Sequence, residues 1–212
     1  MKKLLPLILI LVLFGCKKQD EPQAHVHDAI FIGDSITANW VRESKGHPEF
    51  FKEHNFLGLG FSGKTSGYLK TVFHAAVTNK HPKQVVILCG TNDIAQNDGV
   101  YVSNEEIRDN IAWMASEAEG SGIKVVLCSV LPSTHFYWAS SIHPEDIIIE
   151  LNVLIKALAD EKGYAYADYH SALADADGGL PSTLSSDGTH PNKDAYTIME
   201  GVILPILQET IE

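Results

Sequence analysis

The sequence predicts an α/β fold, a three-layer sandwich of helices on both faces of a five-stranded parallel sheet. Three observations predict it. Five short apolar runs alternate with longer amphipathic stretches. Most of these runs lack the polar alternation of a half-exposed strand, as expected where both faces of a parallel sheet are covered. The chain's 212 residues also suit a single globular domain. In such sheets ligands meet the carboxyl ends of the strands.

The strand candidates, in order, are 29–33 (Ala-Ile-Phe-Ile-Gly), 56–59, 85–89, 125–130 and 164–167. Between and after them, 65–80, 104–119, 144–162 and 193–209 carry apolar residues at three- and four-residue spacing, so each reads as a helix with one buried stripe. Ser103 with Glu106 has capping-box spacing at the start of the second helix. A further helix begins at Ser35, directly after the first strand, which gives strand–helix alternation throughout.

The N-terminus is a separate matter. Lys2 and Lys3 precede an apolar run over 4–14, shorter than the roughly 20 residues that span a bilayer, so the segment reads as an export signal. The run ends in Leu13-Phe14-Gly15-Cys16, which resembles a bacterial lipobox. The expected organisation is a signal peptide over 1–15, a lipidated Cys16 with a polar tether over 16–28, and a folded domain over 29–212. Membrane attachment would then run through the N-terminal lipid. The tether carries Pro22, His25 and His27 and no apolar period.

Composition excludes several classes. Apolar residues at 45% and charged residues at 20% are those of a folded chain. A formal charge of −11 argues against a nucleic-acid partner, which calls for clustered Lys and Arg. The ten His are scattered, without His-Glu-x-x-His or Cys-x-x-Cys spacing, so no metal and no cofactor is expected. Cys89 and Cys128 lie in apolar strand candidates and read as reduced core thiols.

Residues with chemistry gather at the strand ends. Gly33-Asp34-Ser35-Ile36-Thr37 lifts Ser35 onto the start of a helix, either as a nucleophile or as a plain N-cap. Asp187-Gly188-Thr189-His190-Pro191 sets a carboxylate three residues from an imidazole on a turn stiffened by Gly and Pro. That spacing suits an Asp that orients a His base, a surface pair or a metal site. Gly90-Thr91-Asn92-Asp93 puts an amide at the end of the third strand, where it is an oxyanion donor or an Asx-turn residue. Asp34 and Asp93 read as hydrogen-bonded turn residues. Phe136, Tyr137 and Trp138 follow the fourth strand on the same edge, either as a packed loop or as a substrate platform.

Together with Gly60-Phe61-Ser62-Gly63-Lys64-Thr65, these blocks in this order resemble the four signatures of the SGNH (GDSL-type) hydrolases, over about residues 29–211. Lys64 departs from the polar neutral or acidic residue often found there. The resemblance implies a flavodoxin-like α/β/α sandwich and a serine esterase. Ser35 would be the nucleophile, His190 the base and Asp187 its orienter. The Ser35 N–H, Gly63 and Asn92 would form the oxyanion hole; Phe136, Tyr137 and Trp138, by their place after the fourth strand, are the candidate pocket. Short acyl esters, such as O-acetyl groups on carbohydrate, would be the substrates, with lysophospholipids or thioesters as alternatives.

Two readings of other classes compete. One is a catalytically silent surface lipoprotein that binds carbohydrate. The other is a nucleotide-binding protein, because Gly58-Leu59-Gly60-Phe61-Ser62-Gly63-Lys64-Thr65 fits Gly-x-x-x-x-Gly-Lys-Thr. The latter also needs a second strand ending in Asp to hold Mg²⁺, and neither 85–89 nor 125–130 offers one.

Overall fold

The computed structural model describes residues 27–211. Signal peptide, lipobox Cys16 and nearly all of the tether lie outside the described residues.

Five strands form one parallel sheet in the order β2-β1-β3-β4-β5: β1 (Ala29–Gly33), β2 (Phe56–Gly60), β3 (Gln84–Leu88), β4 (Lys124–Cys128) and β5 (Ala165–Ala167). The helices are α1 (Ser35–Trp40), α2 (Pro48–Glu53), α3 (Ser66–Ala76), α4 (Thr91–Ile94), α5 (Asn104–Gly120), α6 (Glu145–Lys162), α7 (Tyr169–Leu173) and α8 (Lys193–Ile211). Alternate strand residues face opposite layers, which is why the strands are apolar without a break. Ile30, Ile32, Val85, Ile87, Val125 and Leu127 share a core with Leu69 and Phe73 of α3, Ile111 and Met114 of α5, and Leu151 and Ile155 of α6. Phe31, Val86, Leu88, Val126 and Cys128 pack with Trp40 of α1, Phe50 and Phe51 of α2, Tyr169 of α7, and Tyr196 and Met199 of α8.

Several expected boundaries shift. The stretch 65–80 is not one helix: Thr65 is the N-cap of α3, whose Oγ1 accepts from the Tyr68 N–H, and 78–80 is a separate 3₁₀ turn. Pro144 is likewise the cap of α6, and the strands at 125–130 and 164–167 shorten to Cys128 and begin at Ala165. Short helices α2, α4 and α7 were not expected. At four to six residues each, they are below the length at which a helical period can be read. The Ser103 cap of α5 stands as expected, its Oγ accepting from Glu106 N at 3.2 Å.

The apolar second layer is built on Trp40. Its ring stacks on Phe50 (5.9 Å between centroids) and on Tyr196 (5.2 Å), and meets Phe31 edge-on at 5.6 Å. Its Nε1–H donates to Glu200 of α8 at 2.9 Å, and Tyr196 Oη–H donates to Ile36 O at 2.7 Å. Helix α8 therefore holds α1, and with it the residue at the start of α1. Cys89 and Cys128 are free, buried thiols whose pKa values burial raises, so both behave as core hydrophobes.

Candidate active site

The carboxyl ends of β1, β2 and β3 converge because three glycines allow it. A Cβ on Gly33 would lie 2.4 Å from Thr37 Oγ1 and 2.5 Å from Leu88 O, and one on Gly60 would lie 2.0 Å from Ala38 N. Gly90 adopts a φ of +128°, which L side chains rarely reach. The β1–β2 ladder is prolonged by Phe61 N–H donating to Gly33 O at 2.8 Å, which brings the 61–64 turn beside Ser35.

Ser35 opens α1. Asp34 is the N-cap, its Oδ1 accepting from Ile36 N at 2.9 Å, which leaves the Ser35 hydroxyl for another partner. That partner is His190: Ser35 Oγ and His190 Nε2 are 2.9 Å apart. His190 Nδ1 lies 2.8 Å from Asp187 Oδ2. The other Asp187 oxygen accepts the backbone N–H groups of His190 (2.7 Å) and Thr189 (3.0 Å) and the Ser185 hydroxyl (3.1 Å). Burial pushes the Asp187 carboxyl up, but the bonds from the His190 N–H, the His190 ring and the Thr189 N–H outweigh it and hold the pKa at about 2. An ionised Asp187 accepts only, so His190 Nδ1 carries the hydrogen and Nε2 is free to accept from Ser35.

The turn bearing this pair is braced from the loop after β4. Ser133 Oγ–H donates to Gly188 O at 2.9 Å, and His135 covers Gly188 so closely that a Cβ there would lie 2.7 Å from its Cε1. An antiparallel bridge between Ser185 and Pro191 closes the turn.

Asn92, in α4, and Gly63, on the turn after β2, are both tied to the turn that carries Ser35. Asn92 Nδ2 donates to Asp34 Oδ2 at 3.3 Å and to Lys64 O at 3.1 Å. Asp93 accepts from the Ser66 N–H at 2.9 and 3.0 Å, which joins the start of α4 to the start of α3. Gly63 takes a φ of +75°, a conformation that favours glycine even though a Cβ there would meet nothing nearer than Asn97 Nδ2 at 4.0 Å. Asp34 is thus the hydrogen-bonded N-cap of α1, while Asp93, expected on a turn, lies within the short helix α4 and is hydrogen-bonded to Ser66. Burial raises each pKa to about 6.

The three aromatic residues part company. Phe136 is fully buried in the core, so it is a packed residue and not a wall of an open pocket. Tyr137 is 67% exposed and meets His135 edge-on, at 4.7 Å. Trp138 stacks on Phe136 at 5.2 Å, its ring 6.1 Å from that of His190, and its Nε1–H donates to Asn97 Oδ1 at 2.8 Å. Asn97 is the residue that the sequence did not single out. Only its place five residues after Asn92 connects the two, and no motif marks it.

Gly58 and Gly60 belong to strand β2, where Gly58 lies against Val41 and Phe51 and Gly60 against Ala38. These glycines serve close helix–sheet packing. Lys64 Nζ rests over the Tyr68 ring at 4.7 Å, and Thr65 Oγ1 is engaged by the Tyr68 N–H and by Asp98. The groups that a phosphate-binding loop would turn toward nucleotide and Mg²⁺ are used otherwise.

An α/β/α sandwich with Ser, His and Asp hydrogen-bonded in series at the carboxyl edge of its sheet defines a class of fold and site. Within that class, the chain belongs to the GDSL-like lipase/acylhydrolase family, whose profile matches residues 31–198. It is similar to the crystal structure of a GDSL-like lipase from Bacteroides thetaiotaomicron, with 37% identity and a TM-score of 0.81 over 85% of this chain and 87% of the other. A candidate acylhydrolase from Bacteroides fragilis is similar at 35% identity and a TM-score of 0.83, over 87% of this chain and 88% of that one. An uncharacterized lipoprotein of Bacillus subtilis, YqeF, is 28% identical over 144 residues, 59% of this chain. The match spans 56% of that relative's length.

Proposed function

We propose that this protein is a serine esterase that cleaves short acyl esters, O-acetyl groups on carbohydrate foremost, through Ser35, His190 and Asp187. The observation that carries the reading is the unbroken hydrogen-bond series from Ser35 Oγ to His190 (2.9 Å) and from His190 to Asp187 (2.8 Å). In the proposed reaction His190 Nε2 takes the Ser35 proton as Oγ attacks the ester carbonyl. Asp187 steadies the resulting imidazolium, and the N–H groups of Ser35 and Gly63 with the Asn92 amide receive the oxyanion. His190 then returns the proton to the departing alcohol. Water, deprotonated by the same imidazole, releases the acid from the acyl-enzyme. The chemistry needs no cofactor.

A short acyl group suits a site whose proposed oxyanion donors stand on Gly63 and Asn92 and whose His190 ring has the Trp138 indole 6.1 Å away. An apolar groove lies elsewhere on the domain. It measures about 570 Å³, runs between α6 and β5, is lined by Ile149, Val153 and Tyr166 among others, and includes none of Ser35, Asp187 and His190. Export and anchoring through Cys16, with residues 1–15 as signal, 16–28 as lipidated tether and 29–212 as the domain, belong to the same proposal. The relative named as a lipoprotein supports it.

The test is a panel of chromogenic esters of increasing acyl length with the full-length protein in detergent. Turnover should be greatest for acetate and fall with each added pair of methylenes. Preference for long chains would favour the lysophospholipase reading. No turnover, with no labelling by a serine-directed phosphonate, would favour the silent carbohydrate-binding reading and overturn the enzyme.

A further inference from the structure

We propose that Asn97 is a positioning residue of this site, one that orients the Asn92 amide and couples it to Trp138. The proposal rests on the reading of Ser35 as nucleophile and adds to it. Asn97 lies past the end of α4, after a residue in left-handed conformation (Gln96, φ +55°) that turns the chain back. Its own N–H donates to Asn92 O at 3.0 Å, so its side chain hangs beside that of Asn92.

Three directed bonds leave that side chain. Nδ2 donates to Asn92 Oδ1 at 2.6 Å and to Gly63 O at 3.3 Å, and Oδ1 accepts from Trp138 Nε1–H at 2.8 Å. An indole nitrogen can only donate, so Trp138 decides which end of the Asn97 amide faces it. The other end, the NH₂, must then face Asn92 and Gly63. Asn92 in turn presents Oδ1 to Asn97 and is left with its own NH₂ directed toward Asp34 and Lys64 O, on the side of the site that holds Ser35's turn. One indole hydrogen thus sets two amides in series, and the second is the proposed oxyanion donor. Gly63, the residue of another proposed donor, is held by the same NH₂.

Asn97 is itself exposed, and of its three bonds only the one to buried Asn92 is part-buried, so its loss should leave the domain folded. The bonds run inward to the two segments that carry the proposed oxyanion donors and outward to the ring beside His190. A group bound against Trp138 is therefore linked through Asn97 to the geometry of the hole.

The experiment is a mutant cycle on the full-length protein, with kcat and KM on an acetate ester and phosphonate labelling of Ser35. Asn97→Ala should lower kcat by about 10–100-fold with KM within about threefold, since a misaimed donor weakens the transition state and not the ground state. In an Asn92→Ala background the same change should cost less than about twofold, because its target is gone. Trp138→Phe, which keeps a ring and deletes the N–H, should lower kcat in the same direction, and less so when Asn97 is already Ala. Asn97→Asp, which offers no hydrogen to Asn92 Oδ1, should be no better than Asn97→Ala. Equal losses from Asn97→Ala in both backgrounds, or wild-type kcat in Asn97→Ala, would overturn the proposal while leaving a labelled, active Ser35 in place. If the unsubstituted protein is neither labelled nor active, the nucleophile reading falls and this proposal with it. A variant too unstable to assay would contradict the premise that Asn97 is dispensable for folding.

Discussion

Asn92 shows what one side chain does when its two hydrogens already have partners. At 3.1 and 3.3 Å from Lys64 O and Asp34 Oδ2 its amide is aimed but not tightly held, and an incoming oxyanion competes for a shared hydrogen. Asn92→Ala should lower kcat by roughly 10²–10³ with little change in KM, as measured by steady-state kinetics on a short ester; unchanged kcat would remove Asn92 from the site. The neighbouring carboxyls make a different prediction. Burial raises Asp34 and Asp93 from 3.8 to about 6, so the folded state binds protons that the unfolded chain has released. Their contribution to stability is present below 3.8 and is lost as pH rises through about 6. Asp187, held at about 2, titrates below that window, and His170, lowered by burial, opposes the trend near neutrality. Asp93→Asn cannot ionise, so its stability relative to the wild type should rise between pH 4 and pH 7 in urea denaturation. Parallel pH profiles would show that Asp93 does not titrate as stated. Ser35, Gly63, Asn92, Asp187 and His190 could be singled out from sequence because each sits in a short motif, the first three just after β1, β2 and β3 and the last two on the turn before α8. Asn97 was not, since hydrogen bonding across two loops leaves no spacing to read, and Phe136 looked like its aromatic neighbours until its burial separated it from them.

At the scale of elements, the five strands were legible as uninterrupted apolar runs, and the four long helices as apolar stripes. Their ends were not. Thr65 and Pro144 carry helix-compatible spacing yet act as caps, and α2, α4 and α7 are fixed by tertiary contacts such as Phe50 and Phe51 against Trp40. The site depends most on the closeness of α1 and β2. At Gly60 an added methyl would sit 2.0 Å from Ala38 N, a backbone atom of the helix that Ser35 begins, so the helix itself must move. Gly60→Ala should destabilise the domain by about 1–3 kcal/mol, toward the upper end because no flexible side chain can yield. It should also reduce ester turnover by displacing Ser35 from His190. A thermal melt and a rate on the same sample check both. A variant of wild-type stability and rate would mean that α1 and β2 separate freely.

For the whole molecule, the parallel sheet has a polarity. The described chain enters at the amino end of β1, where the Asp28 N–H donates to Asn55 O and Asp28 O accepts from Gln84 N, while Ser35 lies at the carboxyl end of the same strand. The described chain thus begins at the end of β1 opposite Ser35. Cys16→Ser should move the protein out of the membrane fraction, or block its processing, with ester turnover per folded molecule unchanged. A mature N-terminus other than Cys16 would contradict this. The central claim is that Ser35 performs acyl transfer, and it is tested most directly by comparing Ser35→Ala with Lys64→Ala in one ester assay, one phosphonate-labelling experiment and one nucleotide titration. The account predicts that Ser35→Ala loses turnover by on the order of 10³ or more and takes no label, while Lys64→Ala stays near wild type in both. Nucleotide binding lost in Lys64→Ala, with turnover and labelling unaltered in Ser35→Ala, would contradict it.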